Sequence, residues 1–69
     1  MKLTKTSTLT GKTATLDIPS LSEADYLAGL DSMYLGQSLQ NAFRRQSADE
    51  REFIKTGITA EEWEVTFGD

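Results

Sequence analysis

Two helix-start signals stand in tandem near the end of this chain, Ser47-x-x-Glu50 and Thr59-x-x-Glu62. In each, a hydroxyl can accept from an orphan amide of the first turn. The Glu three residues on can reach back to the amide of the capping residue. Each start precedes aromatic residues, Phe53 in the first segment and Trp63 and Phe67 in the second. The spacing predicts a short helix from Ser47 to about Thr56, with Phe53 and Ile54 inward. A last helix is expected over residues 60–67, with Ala60, Trp63 and Phe67 at i, i+3 and i+7. Gly57 and Gly68 follow these helices, where a left-handed residue commonly ends one. Ile58 is the apolar residue that often packs back on such an end.

Residues 2–18 read as a β-hairpin. Threonine recurs at positions 4, 6, 8, 10, 13 and 15, a β-favouring composition. Ala14, Leu16 and Ile18 alternate with Thr13, Thr15 and Asp17, the period of a half-buried strand. Leu3, Lys5, Ser7 and Leu9 alternate less clearly. Gly11 supplies the positive φ of a tight turn, and Pro19 stops the second strand. A lone two-stranded hairpin is not stable in water, so helices must cover one face.

Between these segments, Ser20-x-x-Glu23 is a third capping-box candidate, opening a helix to about Gly29 or Leu30 with Tyr26, Leu27 and Leu30 on one side. Either a new helix starts at Asp31 or Ser32, or the first continues with a kink. Leu35, Leu39, Ala42 and Phe43 then form one apolar stripe. Gly29 and Gly36 each weaken this region by about 1 kcal/mol against Ala. Gly36 reads as close packing or a bend before it reads as a hinge. Trp63 and Phe67 are expected to pack on the Leu35/Leu39/Phe43 stripe, so Trp63→Ala is expected to cost about 3–5 kcal/mol.

The 69 residues make one small domain, with a hairpin at 2–18 and a helical part at 20–69. Cys and His are absent. That excludes a disulfide scaffold, a thiolate zinc site and a Cys nucleophile, and it removes the commonest general base. No apolar run approaches the roughly 20 residues of a membrane span. The basic start Met1-Lys2-Leu3-Thr4-Lys5 lacks the apolar stretch of a secretory signal. A cytoplasmic protein is the expectation.

The net charge of −4 is unevenly spread. Lys2, Lys5 and Lys12 hold the first strand pair. Asp17, Glu23, Asp25 and Asp31 form one acidic block, and Glu61, Glu62, Glu64 and Asp69 another. The acids of the later helices cluster in first turns, where the macrodipole favours them; that explains them better than acid–base chemistry does. No spacing suits a metal or cofactor. Arg44-Arg45 is the one basic doublet. It fits a helix C-terminus, or a fork for phosphate or carboxylate.

One resemblance adds to this reading. The strings Ser47-Ala48-Asp49-Glu50-Arg51-Glu52-Phe53, Gly57-Ile58-Thr59, Glu61-Glu62-Trp63 and Phe67-Gly68-Asp69 resemble those of small open reading frames of gokushovirus-like microviruses, tailless single-stranded DNA phages. Gly11-Lys12-Thr13-Ala14-Thr15-Leu16-Asp17-Ile18-Pro19 is a weaker second match. Together these strings cover about half of the chain. Residues 20–46 diverge, and Ala60 stands where the pattern has Pro. The resemblance implies a phage-encoded accessory protein acting in a bacterial cytoplasm. It supplies no catalytic or binding residue.

The expected fold is α+β, an N-terminal antiparallel hairpin packed against three to four short helices; an all-α bundle with a disordered N-terminus is the alternative. The expected function is a non-enzymatic protein–protein interaction module whose partner is a host factor or a phage structural protein. Met33, Tyr34, Val65, Arg44 and Arg45 are its candidate contacts. A nucleic-acid-binding regulator using Lys2, Lys5, Lys12, Arg44 and Arg45 is the alternative.

Overall fold

A computed structural model describes residues 1–68. Asp69, counted above in the second acidic block, lies outside the described residues. The chain is a small α+β protein, an antiparallel hairpin followed by four helices. Strands β1 (Lys2–Thr6) and β2 (Thr13–Asp17) pair with Leu3 opposite Leu16 and Lys5 opposite Ala14. That register puts Leu3, Lys5, Ala14 and Leu16 on the covered face. It turns Lys2, Thr4, Thr6, Thr13, Thr15 and Asp17 outward, and all six are exposed. The outward threonines pair across the strands, Thr4 Oγ1 with Thr15 Oγ1 at 2.7 Å and Thr6 Oγ1 with Thr13 Oγ1 at 3.0 Å. The intervening loop closes on Gly11, whose φ is 76° and whose amide donates to the Ser7 carbonyl at 2.9 Å. Ser7 is buried, and its hydroxyl accepts from the amides of Leu9 and Thr10.

Helix α1 (Glu23–Tyr34) differs from expectation at both ends. Its cap is Ser22, whose hydroxyl accepts from the Asp25 amide at 3.1 Å. Ser20 sits in the turn that follows Ile18 and instead receives the Gln46 amide through its hydroxyl and its carbonyl. Gly29 does not end the helix. It lies buried inside α1, and a Cβ there would stand 2.4 Å from the tip of the Phe43 ring. The missing side chain is what lets that ring reach the helix backbone. The break comes at Gly36, whose φ is 103°. Ser38 then caps the short helix α2 (Leu39–Ala42) through the Asn41 amide. Residues 20–46 therefore form two helices.

Helix α3 (Ala48–Thr56) opens with the complete Ser47/Glu50 capping box. Gly57 ends it in the left-handed region, with φ 75°. The Thr56 carbonyl accepts the Thr8 amide at 3.0 Å, which seats the end of α3 on the hairpin loop. Arg51 bonds the Gln46 carbonyl at 2.6 Å and tightens the turn between α2 and α3. Helix α4 (Ala60–Phe67) opens with the Thr59/Glu62 box. Gly68 ends it in an extended conformation, φ −74° and ψ 157°, and not in the left-handed one expected.

The core is Leu3, Ile18, Leu21, Phe43, Phe53 and Ile54, which joins the inner face of the hairpin to α2 and α3. The expected Leu35/Leu39/Phe43 stripe does not form. The turn at Gly36 separates Leu35 from the others and leaves it 82% exposed. Nor do Trp63 and Phe67 cover that stripe. Their rings stack on each other, centroids 4.5 Å apart, and they stay 37% and 59% exposed. Among the described residues α4 packs on neither α1 nor α2 as those two pack on each other. Trp63→Ala is therefore expected to lower stability by about 1–2 kcal/mol, for partial loss of an apolar contact, and not by the cost of a core cavity. A thermal melt that stays cooperative and shifts down by roughly 4–16 °C checks this.

Candidate functional site: an apolar helix face, an arginine-rimmed cleft and a perched helix

Helix α1 is apolar on two sides. Tyr26 and Met33 face the core, and Gly29 meets Phe43. Leu27, Leu30 and Tyr34 follow at i, i+3 and i+7 on another face, and all three are exposed, Tyr34 at 91%. Leu35 extends this stripe at the helix end. The charges on α1 are Glu23, Asp25 and Asp31, with no basic residue. Glu23 and Asp31 lie beside this stripe, whereas Asp25 lies on the opposite side of the helix.

The candidate contacts named from sequence separate on the structure. Tyr34 belongs to the α1 stripe. Met33, one residue earlier, turns toward the core and is half-buried, because a step of one residue rotates the side chain by over a quarter of a turn. Val65 is 80% exposed but stands on α4, away from α1 packing. Arg44 and Arg45 are exposed on the rim of an open cleft of about 720 Å³ between α1 and the α2–α3 connection. Ala28, Gly29 and Ala42 line it together with polar residues, among them Asp25, Ser32, Gln37 and Asn41, and buried Phe43 and Gln46 lie beneath. Leu27, Leu30 and Leu35, exposed beside Tyr34, were not among the candidates. The available signal was that α1 has more large apolar residues than one packed face can use.

The basic residues do not gather. Lys2 and Lys5 point to opposite faces of β1, Lys12 lies in the hairpin loop, and Arg44 and Arg45 line the cleft. Among the described residues no group of three or more acidic side chains converges as a metal site. Every buried side-chain polar atom described has a hydrogen-bond partner. No described helix is long and apolar enough to cross a membrane.

Glu62 ties α4 to the hairpin. Thr10 Oγ1 donates to one carboxylate oxygen, and the Thr59 amide approaches the other at 3.5 Å. The Thr10 hydrogen bond is the main reason its pKa falls below the ordinary 4.5; partial burial opposes it, and the Thr59 amide, the Ser7 hydroxyl and the Lys12 charge assist. A carboxylate with a lowered folded-state pKa stabilises the fold above its unfolded value and loses that contribution as pH falls through the folded one. The tie is thus expected to hold through neutral pH and to loosen only below about 4.5. A carbon-detected titration of Glu62 should give a midpoint under the usual carboxylate range, and Thr10→Val should move it upward.

No protein family, curated protein or solved structure matches the chain.

Proposed function

We propose that this chain is a small non-enzymatic interaction module that docks the outer face of α1 into an apolar groove with a basic rim on a partner protein. One observation carries this: Leu27, Leu30, Tyr34 and Leu35 stand exposed together on a helix whose only charges are acidic. Helix-in-groove recognition uses anchors at this i, i+3, i+7 spacing. A basic rim on the partner complements Glu23 and Asp31, which lie beside the stripe, and disfavours pairing of α1 with a second, equally acidic α1. The resemblance of residues 47–69 to microvirus reading frames supports a phage accessory protein working in the bacterial cytoplasm, with a host factor or phage structural protein as the partner.

The regulator reading needs Lys2, Lys5, Lys12, Arg44 and Arg45 on one surface, and their dispersal speaks against it. Together they could reach about five phosphates, an attraction largely lost by 0.15–0.2 M salt. No micromolar binding of single- or double-stranded DNA is expected at that salt. The test is recovery of a defined partner from bacterial lysate by tagged protein. Leu27→Glu with Tyr34→Glu should abolish recovery without lowering the melting temperature. Arg44→Glu with Arg45→Glu should leave it intact. Recovery unchanged by the α1 pair, or tight DNA binding, refutes the proposal.

A further inference from the structure

We infer that the outer edge of β2 pairs antiparallel with the same edge of a second copy, so that the protein forms a two-fold dimer around one continuous sheet. The ladder between β1 and β2 fixes which backbone groups are free for this. The Ser7 amide donates to the Lys12 carbonyl at 2.8 Å, and Met1 and Ile18 exchange both bonds, at 2.7 and 2.8 Å. Bonded pairs alternate along an antiparallel ladder, so Leu3 with Leu16 and Lys5 with Ala14 are the bonded pairs between them. The amides and carbonyls of Thr13, Thr15 and Asp17 point away from β1, and all three residues are exposed. Among the described residues no hydrogen bond reaches those groups. Open edges are usually blunted by Lys, Pro or a bulge. On this one the strand carries a single charge, Asp17 at its end. The opposite edge differs, because Lys2 stands on it and α3 packs on β1.

What selects a second copy is the symmetry of the strand, Thr13-Ala14-Thr15-Leu16-Asp17. With the two-fold axis at Thr15, that residue faces its own copy, Ala14 faces Leu16, and Thr13 faces Asp17. Each outward residue then exchanges both backbone bonds across the seam. Ala14 and Leu16 are only partly buried against the core, and across the seam each covers the other. On the outer face the Thr13 hydroxyl can accept its 3.0 Å bond from Thr6 and donate to the Asp17 carboxylate of the second copy. No like charges meet. An axis at Asp17 would oppose two carboxylates and set Thr15 against Pro19, which has no amide to donate. An axis at Thr13 would run Thr15 against the hairpin loop at Gly11, and axes at Ala14 or Leu16 leave fewer bonded pairs. The contact is isologous and closes at two chains. It extends a hairpin too small to be stable alone, and the net charge of −4 on each copy keeps it weak. The inference uses neither the α1 stripe nor the cleft and stands or falls apart from the proposed partner.

Sedimentation velocity of the full chain, from micromolar to millimolar at 0.15 M salt, tests it. The weight-average mass should rise with concentration toward that of two chains and stop there. Amide exchange over the same range needs no variant. Exchange at Thr13, Thr15 and Asp17 should slow as concentration rises, while Thr4 and Thr6 on the opposite edge should not change. Thr15→Lys should weaken association about tenfold or more, because it sets two like charges face to face across the axis. Thr15→Glu should do the same. Thr15 is exposed, and neither variant removes a ladder bond between β1 and β2. Mixed in equal amounts, the two variants should form a one-to-one complex, since an axis at residue 15 places the opposite charges together. A wild type that stays monomeric throughout, or grows beyond two chains, overturns the inference. So does exchange at Thr13, Thr15 and Asp17 that ignores concentration, association unaffected by either variant, or a mixture of the two folded variants that stays monomeric.

Discussion

Phe43→Ala is expected to leave this chain largely unfolded at room temperature. Phe43 is among the largest fully buried side chains, and three parts of the fold meet on it. Its ring lies against the bare backbone of α1 at Gly29 and near the Tyr26 ring, with centroids 6.3 Å apart. Its carbonyl begins the turn that leads to α3, accepting the Gln46 amide at 3.2 Å. Truncating a buried Phe to Ala costs about 3–5 kcal/mol. Domains are stable by roughly 0.05–0.15 kcal/mol per residue, so a chain of this size has little beyond that to lose. The space left by the ring cannot close easily, because Gly29 has no side chain to fall into it. Far-UV circular dichroism during urea titration is the measurement. A cooperative transition near the wild-type midpoint would show that Phe43 does not join α1 to the rest. Gly29→Ala probes the same contact from the other side. Its gain in helix propensity, about 1 kcal/mol, should be outweighed by the collision with the ring.

That contact also marks where the sequence stopped being legible. The turn at Gly11, both C-terminal capping boxes and the left-handed end at Gly57 follow from residues within four positions of one another, and each strand of the hairpin from its own composition and alternation. Local rules were enough for them. At Gly36 a bend was one of the readings, but that it ends one helix before another starts was not legible, because Ser38 caps α2 without a Glu or Gln three residues on. Once that break is missed, Leu35 and Leu39 fall on one imagined stripe, and Trp63 and Phe67 are assigned to cover it. The buried role of Gly29 was hidden because a glycine inside a helix reads only as a weak point. The candidate surfaces were legible in part. Tyr34, Arg44 and Arg45 were named as candidates and are exposed, yet the cleft and the stripe depend on how α1 packs against α2, which no spacing in the chain encodes.

The second large effect is expected at Gly57, where the fold asks for glycine twice. Its φ of 75° lies in the left-handed region, and a Cβ there would stand 2.6 Å from the backbone carbonyl oxygen of Thr6. Gly11 shares the first demand, with φ 76°, but a Cβ there would meet nothing within 4 Å. The pair therefore separates strain from contact. Gly11→Ala should cost about 1–2 kcal/mol, the left-handed penalty alone. Gly57→Ala should cost about 3 kcal/mol or more, since a backbone carbonyl cannot swing aside as a side chain can. Asparagine sharpens the comparison, because it tolerates the left-handed region better than other residues with a Cβ. Gly11→Asn should recover most of the stability lost with Ala, whereas Gly57→Asn should remain as damaged as Gly57→Ala. The loss at Gly57 should also be visible in place. The Thr8 amide, bonded to the Thr56 carbonyl, should exchange with solvent faster, because the end of α3 has been lifted from the hairpin loop. Equal losses at the two glycines, or Thr8 protection unchanged in Gly57→Ala, would mean that α3 and the hairpin are not seated on each other at this point. The start of α4 would then lose its anchor, since Ile58 and the Thr59 cap follow directly from that junction.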